Sequence, residues 1–291
     1  MHENIKITEK NSLLNDFCGL FKLFAMISCH RTLLKQLIQR NIKNRYNGTI
    51  LGLAWCIIHP LAMLSIYVFI FSCVFSARWV AVGVKNPVVG ESKWAFAVIM
   101  YCGMAIYSVF AESIALAPSI IVSNVNFVKK VIFPIEILPI SYVVAVIVVN
   151  FFSFAVLFAG AVFFMDALSW KMLFVPLIML PFYFYILGWV YFIASLGVFF
   201  RDIAQFISLI TQVLFLMTPI FYSIDMVPKR FQIALKINPL TWFVEEVRKV
   251  FLFNTSPDWK SYLLLFGCSF IVFILGFLWF KRTQRGFADV L

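Results

Sequence analysis

Residues 137–165 read ILPISYVVAVIVVNFFSFAVLFAGAVFFM, without one Asp, Glu, Lys or Arg. A bilayer core about 30 Å thick is crossed by roughly 20 apolar residues in a helix. In lipid the backbone must satisfy its own hydrogen bonds, so helix prevails even over a run rich in Val and Phe. Five more stretches share this character, at 50–77, 94–111, 172–200, 203–224 and 261–280. The chain therefore reads as an all-α integral membrane protein with six transmembrane helices. The ten-residue alternation of a membrane barrel does not occur.

Composition agrees. Of 291 residues, 63% are hydrophobic and 13% charged, where a soluble domain has about 45–50% and 25%. The formal charge of +11 fits cytoplasmic flanks and anionic lipid surfaces rather than nucleic acid. The six cysteines show no C-x-x-C pairing, which argues against a metal or redox centre. The polar opening, residues 1–30, reads as a cytoplasmic tail and not a cleaved signal. An even number of spans puts both termini on one side. With that side taken as cytoplasmic, inner segments carry fourteen Lys and Arg and outer segments ten, a slight positive-inside excess.

Three shorter segments carry the remaining information. Residues 31–48 begin with RTLLKQLIQR, where Leu33, Leu34, Leu37 and Ile38 share one helical arc. The opposite arc and its continuation hold Arg31, Lys35, Arg40, Lys43 and Arg45, as in an amphipathic helix lying in the membrane interface with basic residues toward headgroups. An ordinary basic flank is the plainer alternative. Residues 49–280 form the transmembrane domain and 281–291 a cytoplasmic tail.

Within 119–133, Ser119, Ser123, Asn126 and Lys130 collect within about 60° of a helical wheel, with Asn124 and Lys129 outside the stripe. Such a helix could present a polar stripe to a soluble partner. It could equally be the wetted tip of a helical hairpin. The outer segment 225–260 contains NPLTWFVEEVRKVFLF, read as an interfacial or partly re-entrant helix with Glu245 four residues before Lys249.

The order of features resembles the permease subunits of ABC-2 type exporters, in particular those moving O-antigen, capsule and teichoic acid. Arg45, Tyr46, Gly48, Leu51, Gly52, Trp55, Pro60 and Leu61 match the family's R-Y-x-G-S-x-L-G-x-x-W-x-x-x-x-P-L pattern. Asn124, Lys129, Lys130, Phe133, Pro134 and Pro139 match the segment after its second span. Phe200-Arg201-Asp202, Asn238-Pro239 with Arg248, and Gly286-Phe287-Ala288-Asp289 match later motifs. The chain departs from the pattern at Asn41, Asn47, Thr49, His59 and Ile135.

The resemblance implies a homodimeric channel in the bacterial inner membrane, driven by a separate nucleotide-binding ABC ATPase subunit. ATP and Mg would sit on that partner, with no cofactor, metal or catalytic residue in this chain. No G-x-x-x-x-G-K-[ST] stands in the sequence, so no P-loop cradles phosphates here. The ATPase would press on 119–133, at Ser119, Ser123, Asn124, Asn126, Lys129 and Lys130, and on the Arg201-Asp202 turn. Membrane lipids and a lipid-linked polysaccharide complete the expected partners.

The resemblance implies that the first and fifth spans line the channel, which makes Trp55 and Tyr67 in the first and Phe215, Phe221 and Tyr222 in the fifth candidate channel-lining aromatics; packing and lipid-facing roles are the plainer alternative. His59 and Glu112 are the intramembrane polar suspects, since such groups are costly in lipid. Glu112 could pair with a basic residue, face a lumen, or lie near the interface. His59-Pro60 could kink the first span. Competing classes are an exporter of a small hydrophobic compound, an ion-driven secondary transporter and a membrane-embedded glycosyltransferase. The last would want acidic clusters, which the thirteen scattered Asp and Glu do not form.

Overall fold

A computed structural model describes residues 25–70, 93–129, 133–165 and 169–291. Lys130 and the end of the first predicted span, beyond residue 70, lie outside the described residues. The described residues hold helices and turns and no strand. In chain order the elements are α1 (Arg31–Tyr46), α2 (Trp55–Phe69), α3 (Lys93–Leu116), α4 (Ser119–Val122) and α5 (Val125–Val128). They continue with α6 (Ile137–Met165), α7 (Val175–Phe199), α8 (Ile203–Met217), α9 (Lys229–Ile237), α10 (Pro239–Phe251), α11 (Trp259–Thr283) and α12 (Phe287–Val290).

Among the described residues, five apolar helical stretches are long enough to cross a membrane: Gly52–Phe69, Trp94–Leu116, Ile137–Met165, Trp170–Phe199 and Trp259–Val290. The fifth predicted span, 203–224, departs from expectation. α8 has 15 residues, about 22 Å at 1.5 Å per residue, and it stops at Met217. The cause is local. Pro219 disfavours helical geometry in the residue before it, and Thr218 is extended, at φ −90° and ψ 132°.

The space beyond α8 is filled by α10, which packs against α3 and α7. Nine of its thirteen residues are buried. The segment predicted as interfacial or partly re-entrant is thus folded into the bundle. Its charge pairing also differs from the expected Glu245–Lys249 contact. Arg248 meets Glu245 at 3.0 Å and Lys249 meets Glu246 at 3.4 Å, both one turn apart. Asn238 starts the helix by accepting from the Leu240 amide at 3.1 Å, a standard N-cap contact.

α7 and α11 make the tightest pairing of the bundle. Gly188 and Gly276 meet there, and a Cβ on Gly276 would collide with the Gly188 backbone. Small residues at a crossing let membrane helices approach this closely. α11 runs on past the predicted boundary at 280, and Lys281 pairs with the buried Glu136. The Phe287 ring, buried against Phe199 and Phe280, ties the C-terminal tail to the bundle.

Candidate functional site

One end of the bundle gathers α1, α4, α5, the Arg201-Asp202 turn and α12. α3 ends at Leu116, and Pro118 then lies against α7 at Gly197, where any Cβ would strike the Pro118 backbone. Two residues later α7 ends, and the exposed Phe200, Arg201 and Asp202 follow.

The segment from Ser119 is two single turns rather than one helix. The break falls at Ser123 and Asn124, where Asn124 leaves helical geometry at φ −124° and ψ 33°. Ser119, Ser123, Asn126 and Lys129 are exposed on this surface, above the buried Ile120, Ile121 and Val128. Asn124 is corrected from an expected surface contact to a buried strut, 6% exposed. Its Nδ2 donates to the Ile120 carbonyl at 2.8 Å, the Ser123 hydroxyl at 3.1 Å and the Tyr142 hydroxyl at 3.3 Å. Its Oδ1 accepts from Arg40 Nη2 at 2.7 Å. One side chain thereby joins these two turns to α6 and α1.

α1 keeps the faces expected of it, with Leu37 buried, Leu33, Leu34 and Ile38 half-buried, and Arg31, Lys35 and Lys43 exposed. Arg40 and Arg45 do not follow the reading of a basic face turned to headgroups. Arg40 caps Asn124 and lies over the Phe127 ring, 5.2 Å from its centre, a cation–π distance. Asn41 donates to Ser141 on α6 at 3.2 Å. Arg45 pairs with Glu112 on α3. Desolvation is the reason: a carboxylate on a membrane span is costly alone, and a nearby guanidinium lowers that cost.

Glu112 is therefore engaged and not merely interfacial. Its second oxygen accepts from Asn150 Nδ2 at 3.4 Å, and Asn150 Oδ1 accepts from Ser108 at 2.9 Å. This chain of polar groups borders a cavity of about 450 Å³ whose wall also includes Trp55, His59, Tyr67 and Tyr101. α2 continues through Pro60. Tyr46 stands at the cavity's edge, where burial first and its hydrogen bond with Cys56 second push the phenol up to about 12, against the pull of the Arg45 charge.

The aromatic candidates converge in part. Phe221 sits edge-on to Tyr67 at 6.4 Å and to Phe215 at 5.3 Å, and Tyr107 joins Phe215 at 5.2 Å. Trp55 and Tyr67 reach the cavity wall. Tyr222 donates to the Leu216 carbonyl at 3.1 Å.

Two residues central to this geometry were absent from the sequence-derived site. Arg248, at 0% exposure, donates to the carbonyls of Ile99 at 3.1 Å, Pro219 at 2.5 Å and Ile220 at 2.8 Å. It satisfies backbone that the break after α8 leaves outside a helix. Gly103 makes room, since a Cβ there would collide with the guanidinium. Asn150 was missed too, although a lone amide inside an apolar span was the available signal.

A bundle of apolar helices around a cavity bordered by both polar and aromatic side chains fits a membrane transport subunit. The chain belongs to the ABC-2 type transporter family, whose pattern it matches over residues 32–252. It is similar to two O-antigen export system permease proteins RfbA of Klebsiella pneumoniae, each 27% identical over 269 residues, covering 89% of this chain and 95% of theirs. An O-antigen export system permease protein RfbA of Myxococcus xanthus is 23% identical over 272 residues, covering 93% of this chain and 99% of its own.

Proposed function

We propose that this chain is the permease subunit of an ATP-driven exporter that moves an O-antigen-type polysaccharide, on a lipid carrier, across the bacterial inner membrane. The three relatives are O-antigen export system permease proteins, which supports the substrate class. The observation that carries the mechanism is the exposed set Ser119, Ser123, Asn126 and Lys129 beside the exposed Arg201-Asp202 turn. A separate ABC ATPase subunit, holding ATP and Mg, presses on this surface. Both termini lie on the same, cytoplasmic side.

Asn124 and Pro118 pass the push to α1, α6 and α7, so the helices around the cavity move together. Two copies form the path. The Gly52–Phe69 stretch leaves Trp55, Ile57, Leu61 and Ile66 exposed in one copy, a surface suited to face a second copy and the channel. Tyr67, Phe215 and Phe221 supply ring faces on which sugars slide without a tight pocket.

Deletion of the chain in its host is the test. The expected result is lipid-linked glycan accumulating on the cytoplasmic face, with restoration by the wild-type chain. Normal surface glycan after deletion would overturn the reading. Export of a small hydrophobic compound would then be the next reading to test.

A further inference from the structure

The cavity behind the coupling turns has a neighbour. A second cavity of about 460 Å³ lies between α1, α3 and α6, with Asn41, Asn44 and Tyr142 in its wall. The two cavities share three wall residues, Arg45, Glu112 and Val149. The Arg45–Glu112 ion pair therefore stands in the partition between them. Both side chains keep part of their surface free, 36% for Arg45 and 23% for Glu112, as expected of groups facing open space.

We propose that this pair is a gate: closed, it separates an outer cavity at the coupling end from the inner, aromatic-walled cavity, and open, it joins them. The connection to the coupling turns is built into α1. Arg40, held by Asn124, and Arg45, held by Glu112, lie five residues apart on one helix, about 7.5 Å along its axis. A displacement of α4 and α5 reaches the pair through a rigid rod about one and a half turns long. The use of this gate in a transport cycle rests on the export reading, whereas the barrier itself does not.

An ion pair suits the purpose. A partly exposed pair is worth about 1 kcal/mol or less at a surface, so modest work opens it, yet its loss leaves a charge on each wall that favours reclosure. Asn150, donating to the second Glu112 oxygen, fixes the carboxylate in place while Arg45 leaves and returns.

The chain supplies its own reporter. Cys56 lines the inner cavity and is buried, while Cys29 is exposed. Purified chain in lipid vesicles is treated with a charged, membrane-impermeant thiosulfonate added to the coupling-end face, and modification of each cysteine is followed by peptide mass spectrometry. Wild-type Cys56 should react far more slowly than Cys29. Glu112→Gln, and separately Arg45→Gln, should speed Cys56 by up to about fivefold, the factor that about 1 kcal/mol sets for losing one partly shielded pair, with Cys29 unchanged.

The exchange of charges, Arg45→Glu with Glu112→Arg, should slow Cys56 again. Fast wild-type labelling, an unchanged rate in both single variants, or an exchanged pair as leaky as the singles would each overturn the gate. None of these outcomes depends on the ATPase or the glycan, so a failed gate is distinguishable from a failed export reading.

Discussion

Replacing Arg248 by Ala removes four hydrogen bonds at once: to Ile99, Pro219 and Ile220 carbonyls and to Glu245. Two scales bracket the cost. Side-chain hydrogen bonds inside membrane proteins average about 0.6 kcal/mol each, which for four gives about 2.4 kcal/mol. Removing one partner of a buried charge pair costs about 3–5 kcal/mol. The upper scale fits better here, because Pro219 and Ile220 lie outside any helix and their carbonyls face dry interior without the guanidinium.

The expected loss is thus about 3–5 kcal/mol. At about 2–4 °C per kcal/mol for a chain of this order of size, the melting midpoint in mild detergent should fall by roughly 6–20 °C. Gly103→Ala provides the control, since its Cβ collides with the guanidinium and not with open space. Overpacking of this kind costs about 1–3 kcal/mol in the wild-type background and should cost close to nothing when residue 248 is Ala. Thermal unfolding followed by size-exclusion chromatography measures all four corners of the cycle. A shift under about 2 °C for Arg248→Ala, or equal costs of Gly103→Ala in both backgrounds, would refute the reasoning.

Asn124→Ala should lower the melting midpoint, while Asn126→Glu should leave it unchanged and weaken ATPase binding; equal stability effects, read by the same melting assay, would remove the distinction between strut and surface. Gly276→Val places a branched side chain against the Gly188 backbone and should abolish a monodisperse folded peak in chromatography. Asp258, hydrogen-bonded first by the Ser261 hydroxyl at 2.6 Å and also by the Lys260 amide, has its carboxyl held below the usual range. A depressed folded pKa contributes stability above the unfolded value, about 3.9, and loses it as pH falls through the folded value. Asp258→Asn should therefore flatten part of the acid loss in a melting-against-pH series, and an unchanged slope would count against the contact.

How much of this was legible depends on the physics involved. Charge-free runs such as 137–165 announce helices in lipid because the length criterion is local and severe. The end of α8 was also written locally, in Thr218-Pro219, but the absence of charge up to Ile224 masked it. α10 was recognised as helical from the order of its charges. Its depth in the bundle depends on Arg248 reaching carbonyls some thirty and 150 residues away in sequence, and spacing cannot show such contacts.

The turns at 119–128 show the same division. Ser119, Ser123, Asn126 and Lys129 were read as polar and are exposed. The break at Asn124 and the inward turn of Arg40 come from a tertiary hydrogen bond that no wheel contains. Glu112 was flagged by its cost in lipid, while its partners Arg45 and Asn150 arrive from other helices.

The central claim is that a separate ATPase drives this chain through the surface at Ser119–Lys129. Affinity purification in mild detergent, with wild type beside Asn126→Glu and Lys129→Glu variants of equal expression and equal melting midpoint, tests it most directly. The account predicts that a P-loop ATPase accompanies the wild type in near-equal amount and is depleted from both variants. An ATPase retained at full level by the variants, or none recovered under conditions that hold known membrane complexes together, would contradict it.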